Sequence, residues 1–243
     1  MKVLSELYCD DHGRHRPPLA EVWLPDGPGP HPPVLVTHGG GFILGHRRMS
    51  AVRHTALHLV SQGFAVASFD YRLAFRGGRL REGIEDVIAG MTWWRANAER
   101  FHLDEAKMAL VGVSAGSALM MLAAEQLGPV AKVVSIHGPM DWRLVPGGGL
   151  TLTQRLLFQH SDSDQWMQQS PMNFELDVPL LVQTGTADRL VVPENAKRLE
   201  ARRRERGLPI ETKWYEAGHG WLRKRDHPEF GRAMADLSDF LAA

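Results

Sequence analysis

Three residues able to share out the work of acyl transfer stand far apart along this 243-residue chain: Ser114, Asp188 and His219. Ser114 lies in Gly112-Val113-Ser114-Ala115-Gly116, between the apolar runs Met108–Val111 and Ser117–Ala124. That context reads as strand, sharp turn and helix, which makes a G-x-S-x-G stretch a nucleophile elbow with its hydroxyl at the end of a sheet. A serine hydroxyl is a weak nucleophile and needs a base, which in turn needs a group to orient it. Asp188 follows the apolar segment 179–184, and His219 follows the segment 210–215, so both are expected just past strand ends. The order Ser, Asp, His is the one found when such an elbow carries a triad. Asp162, Asp164 and Glu216 are rival acids, but none follows a strong strand and precedes a helix.

A fourth element is His38-Gly39-Gly40-Gly41-Phe42, directly after the apolar segment 34–37. Consecutive glycines let main-chain N–H groups approach a substrate oxygen and stabilise the negative charge of a tetrahedral intermediate. Phe42 and Trp221 adjoin these elements and are read as pocket wall or core. His54 and His58 share one helix face as zinc ligands can, yet no third ligand is apparent, so no metal is assigned. No cofactor is called for.

The elements that must position these residues alternate along the chain. Strands read as 2–9, 19–24, 34–37, 64–69, 107–113, 132–136, 179–184 and 210–215. Helices read as 49–62, 80–100, 115–127, 193–206 and 227–242. The alternation implies βαβ units in a mainly parallel, doubly wound sheet flanked by helices, with residues 1–243 forming one domain. Residues 139–178 exceed the needs of one crossover. They carry Trp142, Trp166, Met172, Phe174 and a Pro146-Gly147-Gly148-Gly149 segment, and read as a small lid insertion or an ordinary crossover with a ragged loop. Trp93-Trp94 and Met120-Met121 read as helix packing.

Composition narrows the function classes. Lys plus Arg and Asp plus Glu number 28 each, so no net field points to nucleic acid or an anionic membrane. The basic run from Lys197 to Arg206 reads as the solvated face of a helix. Cys9 is the one cysteine, which excludes an intrachain disulfide and suits a reducing compartment. The first ten residues show no apolar signal region, and Met108–Ala124 is too short to span a membrane. A cytoplasmic location is the expectation, with a small-molecule partner and no nucleic acid or membrane. The oligomeric state stays open.

Taken together, His38-Gly39-Gly40-Gly41, Asp70-Tyr71-Arg72-Leu73-Ala74, Gly112-Val113-Ser114-Ala115-Gly116, Asp188 and His219 resemble the α/β-hydrolases of the hormone-sensitive-lipase-like and bacterial carboxylesterase group. The likeness runs from about residue 20 to 240. It implies that Ser114 is the nucleophile, His219 the general base and Asp188 its orienting acid. It further implies oxyanion donors at the N–H groups of Gly40, Gly41 and Ala115, with Tyr71 and Arg72 structural. The chain departs from the lipase pattern at Val113 and Ser117, at Phe75-Arg76-Gly77-Gly78, and in showing no N-terminal helical cap. The smaller, uncapped feruloyl-esterase-like branch is at least as similar.

The resemblance implies hydrolysis of carboxylic esters through an acyl-enzyme, and short acyl chains are expected because the sequence shows no large lid or interfacial apolar helix. The same triad can cleave amides, so a small-molecule amidase, formamidase or peptidase is an alternative. A non-catalytic ligand-binding relative is a further one, against which stands the presence of all three residues. A histidine base must be neutral, so activity is expected to rise with pH across the ordinary histidine range of about 6–7.

Overall fold

The structure, a computed structural model, describes residues 1–10, 17–144, 157–158 and 163–243. Among these, eight strands form one sheet: β1 (Lys2–Leu7), β2 (Leu19–Leu24), β3 (Pro33–Thr37), β4 (Ala65–Phe69), β5 (Ala109–Val113), β6 (Lys132–Ile136), β7 (Leu180–Gly185) and β8 (Ile210–Tyr215). Their order is β1-β2-β4-β3-β5-β6-β7-β8. β2 runs antiparallel to both of its neighbours, and the pairings from β4 through β8 are parallel. This is the doubly wound architecture expected from the alternation of apolar segments.

The central strands are apolar at successive positions because both faces of the sheet are covered. Leu35, Leu110, Val133, Leu180 and Val182 point into one core, beneath helices α2 (Leu80–Ala96), α3 (Ala115–Leu127) and α4 (Glu194–Glu205). Val34, Val36, Val111, Val134 and Leu181 point into the other, beneath α1 (Ser50–Ser61) and α5 (Phe230–Ala242). Side chains that alternate across a strand thus feed two separate cores. Met120 and Met121 are fully buried in the first, where Trp94 packs against Phe101.

Two expected helices end differently, and one expected solvated face is partly buried. The helix expected over 80–100 stops at Ala96, and a short helix follows at Ala98–Phe101. Asn97 ends the first by donating its side-chain amide to the Trp93 carbonyl, 2.9 Å away. The last helix begins at Phe230 rather than 227, since Pro228 disfavours helical backbone in the residue before it. The basic run on α4 is not wholly solvated. Ala196, Leu199 and Arg203 form its buried stripe, and Arg203 donates to the carbonyls of Phe174, Leu176, Val178 and Pro209. An arginine holds a core position there because main-chain acceptors meet its guanidinium.

The Pro146–Gly149 segment lies outside the described residues. Elsewhere in 139–178, Trp142, Leu157, Phe158, Trp166, Met172 and Phe174 are buried in the first core. Among the described residues, no helix is long and apolar enough to cross a membrane.

Candidate active site

Every candidate residue sits at the carboxyl edge of the sheet. The elbow follows β5, the His38–Gly41 loop follows β3, Asp188 follows β7 and His219 follows β8. Parallel pairing of β3, β5, β6, β7 and β8 brings these loops to one edge, although the sequence separates them widely.

The elbow is built by close approach. Ser114 adopts φ 53° and ψ −121°, a conformation a non-glycine residue rarely holds. Its N–H donates to the Ile136 carbonyl at 2.8 Å, which ties the turn to the neighbouring strand. A Cβ on Gly116 would lie 2.3 Å from the Thr37 carbonyl oxygen, and one on Gly112 would lie 2.3 Å from Ser117 Cα. Main-chain atoms cannot yield at that distance, so both positions require glycine. Ser117, which departs from the lipase pattern, spends its hydroxyl on the Gly112 carbonyl at 2.7 Å.

Ser114 Oγ lies 3.1 Å from His219 Nε2, and His219 Nδ1 lies 2.8 Å from Asp188 Oδ2. A carboxylate only accepts, so Nδ1 carries the proton and Nε2 is left to accept the serine O–H. Burial pushes the Asp188 carboxyl upward, but hydrogen bonds from His219, Val191 and Leu190 outweigh it and hold the group below the ordinary carboxylate range. Asp188 therefore stays ionised at neutral pH. Glu216 is exposed, and its N–H donates to Glu229 Oε1. Asp162 lies outside the described residues, as does the Asp164 side chain.

Gly40, Gly41 and Phe42 have φ of 117°, 61° and 65° in succession. The Gly40 carbonyl accepts from Ile43 and Leu44, closing a tight turn, and a Cβ on Gly40 would lie 1.9 Å from the Leu44 carbonyl oxygen. Among the described residues, the N–H groups of Gly40, Gly41 and Ala115 have no hydrogen-bond acceptor. All three residues border the cavity that holds Ser114. Tyr71 backs this loop, stacking on His38 at 4.1 Å and donating to its carbonyl at 3.2 Å. Arg72 is anchored on Asp86.

The cavity measures about 430 Å³ and is walled by Phe42, Trp142, Leu144, Leu157, Leu190 and Val191 among others. Phe42 is both wall and core, its ring edge-on to Trp142 at 6.0 Å. Trp221 takes the core alternative of the sequence reading rather than the substrate-binding one. It is buried beneath the site, 4.9 Å from His137 and 5.4 Å from Tyr215, and is not part of the cavity wall. The reason is local: the turn at Gly220, with φ 74°, directs the chain back into the second core.

His54 and His58 bridge helices instead of gathering ligands. His54 Nδ1 is 2.9 Å from the Leu222 carbonyl, and His58 Nε2 is 3.2 Å from Ser238 Oγ. Among the described residues, no group of three His, Cys, Asp or Glu side chains is placed to hold a metal ion.

Sequence reasoning missed His137. It is 2% exposed, borders the cavity, and packs its ring edge-to-face on His219 at 4.5 Å. Burial lowers it to about 3, with the neighbouring His219 acting in the same direction, so it is neutral throughout the neutral range. The signal was available: His137 follows the 132–136 strand directly, as His38 and Ser114 follow theirs.

The BD-FAE family profile matches residues 21–202. Esterase LipC of Mycobacterium tuberculosis is 32% identical over 152 residues, which cover 56% of this chain and 36% of that protein. The chain thus spans about a third of that relative's length. Among solved structures, a bifunctional GH43-CE protein of Bacteroides eggerthii matches with a TM-score of 0.83 at 22% identity, covering 99% of this chain and 38% of that one. An esterase of Pyrobaculum calidifontis matches with a TM-score of 0.81 at 24% identity, covering 99% and 84%. Likeness at those identities establishes the fold.

Proposed function

This chain belongs to the BD-FAE family of esterase-like α/β-hydrolases, and from that membership we propose that it is a serine carboxylesterase cleaving short-chain esters. The observation that carries the reading is the continuous line Ser114 Oγ–His219 Nε2 and His219 Nδ1–Asp188 Oδ2, at 3.1 and 2.8 Å, on the floor of an apolar cavity.

The reaction proceeds in two halves. Ser114 Oγ attacks the ester carbonyl carbon while His219 Nε2 takes its proton, and the carbonyl π pair moves onto oxygen. The N–H groups of Gly40, Gly41 and Ala115 donate to that oxyanion. Each such donor is worth about 3–4 kcal/mol in the transition state. Asp188 steadies the imidazolium that has formed. Collapse of the intermediate breaks the bond to the alkoxy oxygen, which leaves as alcohol with the proton from His219. Water then attacks the acyl-enzyme with His219 again as base, releasing the carboxylic acid and restoring Ser114.

A cavity of about 430 Å³, bounded by Phe42 and Trp142, suits a short acyl chain. The insertion contributes to this wall through Trp142, Leu144 and Leu157. The test is a series of 4-nitrophenyl esters from acetate to decanoate, assayed on wild type and Ser114→Ala. The expected result is highest kcat/KM at acetate to butyrate and a loss of about 10⁵–10⁶-fold in the variant. Turnover surviving in the variant would overturn the mechanism, and preference for decanoate would overturn the chain-length assignment.

A further inference from the structure

His137 is a buried polar group for which the acyl-transfer steps have no use. Its ring is held between Trp221 and His219, at centroid distances of 4.9 and 4.5 Å. The backbone that places it there is unusual, with φ 40°, and is pinned by its N–H donating to the Gln183 carbonyl at 2.7 Å. Nδ1 is sealed from solvent without a partner, while Nε2, which has no hydrogen bond among the described residues, is the ring nitrogen left open on the side that borders the cavity. Other buried groups without a partner, such as Thr55 Oγ1, Ser68 Oγ and Trp94 Nε1, lie away from the cavity, whereas His137 borders it.

The contact with His219 does not satisfy the ring. Both nitrogens of His219 are already committed, one to Ser114 and one to Asp188. The 70° edge-to-face arrangement is a packing contact. A phenylalanine would pack equally well there without any polar atom to satisfy. What remains to meet the imidazole is a molecule in the cavity that His137 borders.

The reaction coordinate says which part of that molecule. His219 Nε2 must hand its proton to the leaving oxygen, so that oxygen comes within hydrogen-bond reach of His219. Atoms one or two bonds beyond it pass the ring packed beside His219. We propose that His137 is a specificity residue of the leaving-group subsite, hydrogen-bonding a hydroxyl on the alcohol portion of the ester. The reading rests on the esterase assignment above and adds the class of alcohol it takes. With Nδ1 sealed, the ligand meets Nε2, and a hydroxyl, itself both donor and acceptor, can bond that nitrogen in either tautomer of the neutral ring. Much of the remaining wall, including Phe42, Trp142, Leu144, Leu157 and Val191, gives an alcohol's hydroxyl no side-chain partner.

The experiment compares 2-hydroxyethyl acetate with propyl acetate, which exchange a hydroxyl for a methyl at equal length. Rates are followed by pH-stat on wild type, His137→Phe and His137→Gln. The quantity read is the ratio of the two kcat/KM values. Wild type is expected to favour the hydroxyethyl ester, His137→Phe to lower the ratio about 5–10-fold, and His137→Gln, which keeps a donor and an acceptor, to retain part of it. The wild-type ratio is expected to be constant from pH 5.5 to 9. Parallel loss on both esters, with the ratio intact, would mean that His137 merely packs against His219 and would overturn the proposal. If wild type cleaves neither of these esters nor any nitrophenyl ester, the esterase reading itself fails. Cleavage of nitrophenyl esters with no hydroxyethyl preference would overturn this proposal alone.

Discussion

Acidification should destabilise the protein well above the range where carboxylates titrate, because two histidines are buried neutral. His38 and His137 are held at about 4 and about 3, in each case chiefly by burial, against 6.5 for the free side chain. Below 6.5 the unfolded chain binds a proton at each that the native state does not, so stability falls with falling pH until the folded values are reached. Between pH 7 and pH 5 each histidine costs about 2 kcal/mol, and the pair about 4 kcal/mol. That is a large part of a typical stability of about 5–15 kcal/mol. Asp188 and Asp141 are both held below the ordinary carboxylate range. Their stabilisation is present above the unfolded carboxylate value and is lost at lower pH, outside this window. With an m value near 3 kcal/mol/M, the urea midpoint should drop by about 1.3 M from pH 7 to pH 5. In His137→Phe about half of that drop should vanish, since phenylalanine binds no proton in either state. Urea unfolding followed by tryptophan fluorescence at the two pH values measures both shifts. An unchanged pH dependence in His137→Phe would show that His137 takes up its proton in the native state. The neutral imidazole of the leaving-group subsite would fall with it.

Two further outcomes follow from the geometry. Gly116→Ala places a methyl 2.3 Å from the Thr37 carbonyl oxygen and should cost about 3 kcal/mol as well as displacing the glycine loop, whereas Gly231→Ala on α5, with open space around its Cβ position, should be neutral or stabilising in the same thermal melts. Asp188→Asn keeps an acceptor for the amides of Leu190 and Val191 but no longer favours the Nδ1–H tautomer of His219, so kcat should fall by about 10⁴-fold with little change in melting temperature. A drop of less than tenfold would assign the orienting role to another acid.

The site was legible in the sequence where chemistry and topology coincide. Ser114, Asp188, His219 and the three-glycine loop each follow a strand, and a parallel sheet delivers strand ends to one edge. What stayed hidden depends on three-dimensional packing. Nothing in the run Glu216–Trp221 shows that Gly220 turns Trp221 into the core, and no spacing shows that His137 meets a ring 82 positions away. Arg203 looked solvated because its neighbours Arg202 and Arg204 are charged, yet helical periodicity groups it with Ala196 and Leu199. Helix ends followed single residues, Asn97 and Pro228, whose local effects outweigh the apolar pattern.

The central claim is that Ser114 is an activated nucleophile. Intact mass after exposure to a fluorophosphonate, on wild type and Ser114→Ala, tests it most directly. One adduct is expected on wild type and none on the variant. An unmodified wild type, or equal labelling of both, would contradict it.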